Sequence, residues 1–160
     1  MVNPVVHGLY IIKDQYFEDF PRPHWVNNKN ENRPYYYLLK DKDDILWVIP
    51  LSSRVDNYVE RIRRLEEKHG KGKCVYYHIA PIASQDRVFL IGDMFPVSEE
   101  YISRPYTIDE ECYVVKNTNT ISAVRSKAMR YLKLVEKTKK DRNNIMEIKR
   151  VLLNRRNNKG

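Results

Sequence analysis

A chain of 160 residues makes one ordinary domain, or a domain with a docking extension. With 42% hydrophobic and 31% charged residues it can build a core, which excludes wholesale disorder. The formal charge is +8, but residues 1–120 carry 16 basic against 18 acidic groups, net −2, and residues 121–160 carry 13 against 3, net +10.

No run approaches the ~20 apolar residues of a membrane span. The opening MVNPVVHGLYIIKD lacks the basic region and sustained apolar stretch of a signal peptide. Cys74 and Cys112 fall in apolar, strand-like runs and are read as reduced core thiols, so a cytoplasmic protein is expected.

In chain order, GLYII (8–12) reads as a short strand and KDQYFEDF (13–20) as one or two helical turns. PRPHWVNNKNENRP (21–34) is loop, long enough to suspect a function. YYYLLK (35–40), DKDD (41–44) and ILWVIPL (45–51) form a hairpin signal: strand, turn, buried strand. SSRVDNYVERIRRLEEKHG (52–70) predicts a helix with Val55, Tyr58 or Val59, Ile62 and Leu65 on its apolar face. Ser53 and Asp56 suggest a capping box, and Gly70 closes the helix.

A second hairpin is predicted from CVYYHIAPI (74–82), a turn at ASQD (83–86) and RVFLIG (87–92). DMFPVSEE leads to a short turn, and 106–116 adds a short strand pair. Residues 121–137 predict a helix burying Ile121, Val124, Ala128, Tyr131, Leu132 and Val135. A weaker helix uses Ile145, Ile148 and Leu152, and NRRNNKG (154–160) reads as a frayed basic tail. The expected organisation is one domain over 1–138 with a basic helical extension over 139–160. The expected class is α+β, a rolled or barrel-like sheet with inserted and terminal helices.

No phosphate loop, dinucleotide fingerprint, zinc-protease motif or nucleophile elbow occurs, and the four histidines lack ligand spacing. Neither a cofactor nor a metal is expected. The polar cluster that stands out is Ser52-Ser53-Arg54, two hydroxyls and a guanidinium where a buried strand enters a helix. Unpaired N–H groups and partial positive charge there suit a phosphate, and Arg54 adds a planar fork. A bland alternative is a capping serine and a solvated arginine.

The predicted hairpin places 33–37 opposite 49–53, so Arg33 and Tyr35 converge on the same corner. Tyr35 could pack in the core or stack on an unpaired base. His78, on an apolar strand, is either a structural residue or a proton carrier. Lys71 and Lys73 could grip a nucleic-acid backbone or simply be solvated. Arg125, Lys127, Arg130 and Lys133 occupy a helix stretch without a single acid, which favours a polyanion partner.

The runs RPYYYLLKDKDDILWVIPLSSRVDNY, GKGKCVYYHIAPI and RVFLIGDMFPV resemble the ToxN/AbiQ family of type III toxin–antitoxin endoribonucleases, closest to its CptN branch. The resemblance spans roughly 8–137 and is most specific at the PLSS corner and the MFPV tetrad. It implies a MazF/Kid-like core with a twisted, partly closed antiparallel sheet. It implies metal-independent RNA cleavage leaving a 2′,3′-cyclic phosphate and a 5′-hydroxyl. It also implies a repeated pseudoknot RNA antitoxin that closes with the toxin into a cyclic assembly, in a context of phage defence.

The family's hydroxyl pair falls on Ser52 and Ser53. A basic residue of some relatives falls on Val55, with Arg54 as its neighbouring replacement. A lysine after the loop proline aligns with Tyr35, with Arg33 as the substitute on the other side of Pro34. A tyrosine before that proline has no counterpart in NNKNEN, and His24 or Tyr35 could stand in for it. The expected mechanism uses the substrate's 2′-OH as nucleophile, with Ser53, Ser52, Arg33 and Arg54 at the phosphate and Tyr35 or His78 moving protons. The alternative from another class is a non-catalytic RNA-binding module; a protein-targeted toxin of the same fold is a third.

Overall fold

The computed structural model describes residues 2–159. It is α+β. Nine strands and four α-helices follow the chain as β1 (Leu9–Ile12), α1 (Asp14–Asp19), β2 (Tyr35–Lys40), β3 (Leu46–Ser52), α2 (Val55–His69), β4 (His78–Ile82), β5 (Gln85–Phe89), β6 (Phe95–Val97), β7 (Ile102–Pro105), β8 (Thr107–Ile108), β9 (Glu111–Cys112), α3 (Thr118–Thr138) and α4 (Ile145–Lys159). One-turn 3-10 segments at Ile91–Asp93 and Glu99–Tyr101 flank β6.

The main sheet is antiparallel and runs β4-β5-β3-β2-β1-β7. β3 is its hub. One long edge of β3 pairs with β2; the other pairs with β6 at Leu46–Val48 and with β5 at Leu51–Ser52. Pro50, which has no N–H to give a ladder, falls in the gap between those two partners. Its carbonyl still accepts the Leu90 amide at 2.9 Å.

The hairpin expected at 35–51 forms, with Tyr35 opposite Pro50 and Tyr37 opposite Val48. Asp41 fixes its turn. One carboxylate oxygen accepts the Asp43 and Ile45 amides, and the other accepts the Trp47 indole N–H at 2.9 Å. Lys149 of α4 bridges Asp41 and Asp43, both at 2.9 Å.

Directly paired residues share a face of the sheet, and alternation assigns the rest. One face carries Tyr35, Val48, Pro50, Ser52 and Phe95. An aromatic layer covers it: Tyr16, Phe17 and Trp25 pack their rings 4.7–5.8 Å from Phe95. α4 packs there too, burying Ile145, Ile148 and Leu152 and setting Arg155 over the Phe20 ring. The other face carries Tyr36, Ile49, Leu51, Phe89 and His78. α3 lies over it, burying Val124, Ala128, Tyr131 and Val135. Among the described residues, no helix is long and apolar enough to cross a membrane.

Several sequence expectations need correction. β4 begins at His78, not residue 74, because Val75 to Tyr77 run irregularly between α2 and the sheet. The β4–β5 turn is two residues, Ala83 and Ser84, both with positive φ as a tight hairpin requires. MFPV enters strand β6 instead of leading only to a turn, and β7 pairs with β1. α3 starts three residues early because the Asn117 side chain caps the Asn119 and Thr120 amides.

The expected frayed tail is helical through Lys159, and α4 belongs to the same core as the sheet. Cys74 is buried, but Cys112 lies exposed on the edge hairpin, so only one thiol is a core residue. α2 buries no residue at all: Tyr58, Ile62 and Leu65 are half-covered, and Val59 is 50% exposed.

Candidate active site

The loop 21–34 is built around Asn28. Its side-chain N–H groups donate to the Ile12 carbonyl and to Asp14, and its amide oxygen accepts the Tyr35 hydroxyl at 3.0 Å. Its backbone carbonyl accepts the amides of Asn32 and Arg33. Lys29, Asn30 and Glu31 follow in the left-handed region, φ 51, 55 and 60, which folds the chain back toward β3. Arg33 is thereby buried at 7% exposure. Its Nε donates to the Asn27 carbonyl and its NH1 to the Leu51 carbonyl at 2.7 Å.

That last bond puts the guanidinium beside the corner where β3 becomes α2. Ser52 is 5% exposed, and its Oγ accepts the Arg54 amide at 3.2 Å. Ser53 and Arg54 are exposed. The expected capping box does not form: Arg54 is the N-cap residue and no side chain caps it. The amides of Arg54, Val55 and Asn57 find acceptors in Ser52, Ser53 and Arg54. The cradle expected from the helix end is therefore partly filled by the chain itself, and side chains supply most of what is left.

Those side chains are cationic. Burial lowers the Lys29 ammonium below its usual range, and Arg33, Arg54 and Arg87 push it further down. Burial likewise lowers Arg33. Arg33 and Arg54 thus set positive charge at the Ser52–Ser53 corner, with Lys29 close enough to feel both. The opposing acid is Asp93, whose carboxyl burial pushes up, while Arg142, Arg33, His24 and Arg61 pull it down. Lys29, Arg87 and Asp93 were missed by sequence reasoning. Lys29 hid in a loop read only by its prolines and asparagines, and Arg87 and Asp93 flank a hydrophobic strand.

Two expected participants stand elsewhere. Tyr35 is fully buried, its ring 5.5 Å from Phe95 and its hydroxyl on Asn28. Its full burial closes the ring to base stacking, its hydroxyl is engaged by Asn28, and burial raises its pKa above the phenol range. Its place is to hold the loop that carries Arg33. His78 pairs with Phe89, itself opposite Leu51, and so occupies the face opposite Ser52. Lys127 Nζ lies 3.0 Å from its Nδ1 and 3.3 Å from the Tyr77 carbonyl. An ammonium only donates, so Nδ1 accepts and the imidazole is neutral. Burial and then Lys127 lower its pKa to about 4.

The remaining expected contacts are dispersed. Lys71 and Lys73 are exposed in the turn after α2. On α3, Arg125 and Lys133 are exposed, while Lys127 and Arg130 are half-buried. Arg125 also lines a cleft of about 850 Å³ with Trp47, Met129 and Leu132. No group of three or more metal-ligating side chains gathers among the described residues. No protein-family model matches this chain, and no curated protein matches it.

Proposed function

We propose that the protein is an endoribonuclease toxin of the ToxN/AbiQ kind, with a MazF/Kid-related core, held in check by a repeated pseudoknot RNA. The observation that carries this reading is the corner itself. Arg33 is buried and fixed to Leu51, Ser53 and Arg54 are exposed beside it, and Lys29 adds a third cation whose charge feels both arginines. The exposed cations of α3 provide a second surface for an RNA partner.

In this reading the substrate's 2′-oxygen attacks the adjacent phosphorus and the bond to the 5′-oxygen breaks. The 2′-hydroxyl gives its proton to solvent water, and the departing 5′-oxygen takes one from water. A 2′,3′-cyclic phosphate and a 5′-hydroxyl result, with no enzyme nucleophile. Ser53 Oγ donates to a phosphate oxygen as charge builds on it. Arg33 uses Nε and one NH1 donor on backbone carbonyls, leaving its other N–H groups for the transition state. Arg54 and Lys29 offset the added charge. Ser52, anchored to the Arg54 amide, sets the corner's shape.

Purified protein incubated with RNA in excess EDTA should yield fragments with those two ends. Ser53→Ala should keep its melting temperature, since the side chain is exposed. It should lose about 10²–10³ in cleavage rate, the usual effect of removing one transition-state donor. RNA binding by the wild type without any cleavage would favour the non-catalytic binding module instead. A folded Ser53→Ala protein that cleaves at the wild-type rate would remove Ser53 from the mechanism.

A further inference from the structure

The cleft of about 850 Å³ lies between α3, the β2–β3 hairpin and the start of α4. Its volume falls within the ~300–1,000 Å³ of small-molecule sites. α3 lines it with Arg125, Met129, Leu132, Val135 and Lys139. Steps of four, three, three and four residues keep these on one side of the helix. Arg125 and Lys139 therefore stand ~21 Å apart along the axis, at ~1.5 Å per residue, with an apolar stretch between them. Leu39 and Trp47, opposite each other in the hairpin, line the cleft from the sheet. Met146 of α4 adds an apolar side chain that is 48% exposed.

The polar side chains around that stretch divide into those already engaged and those left over. The Trp47 indole N–H is given to Asp41, which also holds Lys149. Asp141 accepts the Ile145 amide with one oxygen and the Met146 amide with the other. With the indole and both carboxylates engaged inside the protein, a nucleobase would find no pairing edge among them, whereas hydrocarbon needs none. Left over are the exposed cations Lys40, Lys42, Arg125 and Lys139 against the single acid Glu136. None of these five is in an ion pair among the described residues. The charge complement of this rim is an anion, and the complement of the trough is an apolar chain. Its two methionines are adaptable side chains that can close around such a chain.

We propose that this cleft binds a long-chain carboxylate of the fatty-acid class, its chain laid along Met129, Leu132 and Met146 and its head group on the cationic rim. An extended chain of about twelve carbons, at ~1.5 Å per bond, fits along the line from Arg125 to Lys139. The site stands apart from RNA cleavage: neither the Ser53 corner nor a nucleic acid enters it.

The test is calorimetric titration of the whole protein with dodecanoate, octanoate and dodecyltrimethylammonium, each below its micelle concentration. Dodecanoate should bind at a single site and raise the melting temperature. Octanoate, four methylenes shorter, should bind about a hundredfold more weakly. Dodecyltrimethylammonium, with the same chain and the opposite charge, should not bind. Met146→Glu sets an anion against the chain, and Arg125→Glu reverses a rim cation. Both positions are exposed, so each variant should keep its unliganded melting temperature while dodecanoate weakens about tenfold. Lys68→Glu, an equal charge change on an exposed part of α2 outside the cleft, should leave the affinity unaltered. No binding of dodecanoate, equal binding of octanoate or of the cationic amphiphile, or an affinity unmoved in both Met146→Glu and Arg125→Glu would overturn the site. A loss in Lys68→Glu as large as in Arg125→Glu would overturn it too, by reducing the attraction to net charge.

Discussion

His78 shows how a single contact decides what a residue can do. Its Nδ1 is taken by Lys127, and its ring is kept neutral with a pKa of about 4. An exposed histidine in the unfolded chain titrates near 6.5. Between those values the unfolded chain binds a proton that the folded one refuses. The stability His78 provides is therefore complete above pH 6.5 and is lost as pH falls toward 4. His78→Gln, which can still accept from Lys127 but does not titrate, should lose less stability than the wild type over that interval in urea melts. Equal losses would place the proton uptake elsewhere; His7, also lowered by burial and by Arg125, is common to both proteins and cancels. The same scale explains what was legible. The Arg33–Ser52 corner followed from hairpin register, because pairing across a known turn is arithmetic. Asp93 was not legible, because nothing in IGDMFPV says that a one-turn helix will bury a carboxylate among arginines supplied by three distant segments.

Elements with strong periodicity were legible and irregular ones were not. The β2–β3 hairpin formed where expected, and α3 did apart from its three earlier residues, because alternation and helical spacing are local signals. The β4–β5 turn was drawn two residues too long on its β5 side because Ala83 and Ser84 take left-handed geometry without the usual Gly or Asn. α2 has the cleanest apolar stripe in the chain yet buries nothing, since spacing reports a face and not whether something covers it. On α3 the four basic residues are unequal. Replacing exposed Arg125 and Lys133 by Ala should lower the salt slope of RNA binding by about 1.4, at ~0.7 per single-stranded phosphate contact, without changing the melting temperature. Replacing Lys127 should also lower the melting temperature, because its ammonium serves the Tyr77 carbonyl and His78. A slope unchanged in Arg125→Ala/Lys133→Ala would mean those charges meet only solvent.

At the scale of the molecule, the last helix is a wall of the core. Ile145, Ile148 and Leu152 belong to the buried cluster that includes Tyr16, Phe95 and Val97. Leu152→Ala should therefore cost about 2–5 kcal/mol, measured by denaturant unfolding, where a solvated tail would cost nearly nothing. Charge and composition concealed this, because α4 carries its apolar residues on a narrow stripe amid arginines, lysines and asparagines.

The position of β1 has a kinetic consequence. This strand lies between β2 and β7, with Leu9 opposite Tyr36 and Ile12 opposite Ile102. Lys149 then clasps the turn at Asp41 and Asp43. The sheet cannot close by neighbouring hairpins alone; residues far apart along the chain must meet before the central strands are held on both edges. Loop closure on that scale slows the search. Folding in this chain should be slower than in a helical bundle of equal length, with the hairpin of β2 and β3 formed early and the β1–β7 seam late.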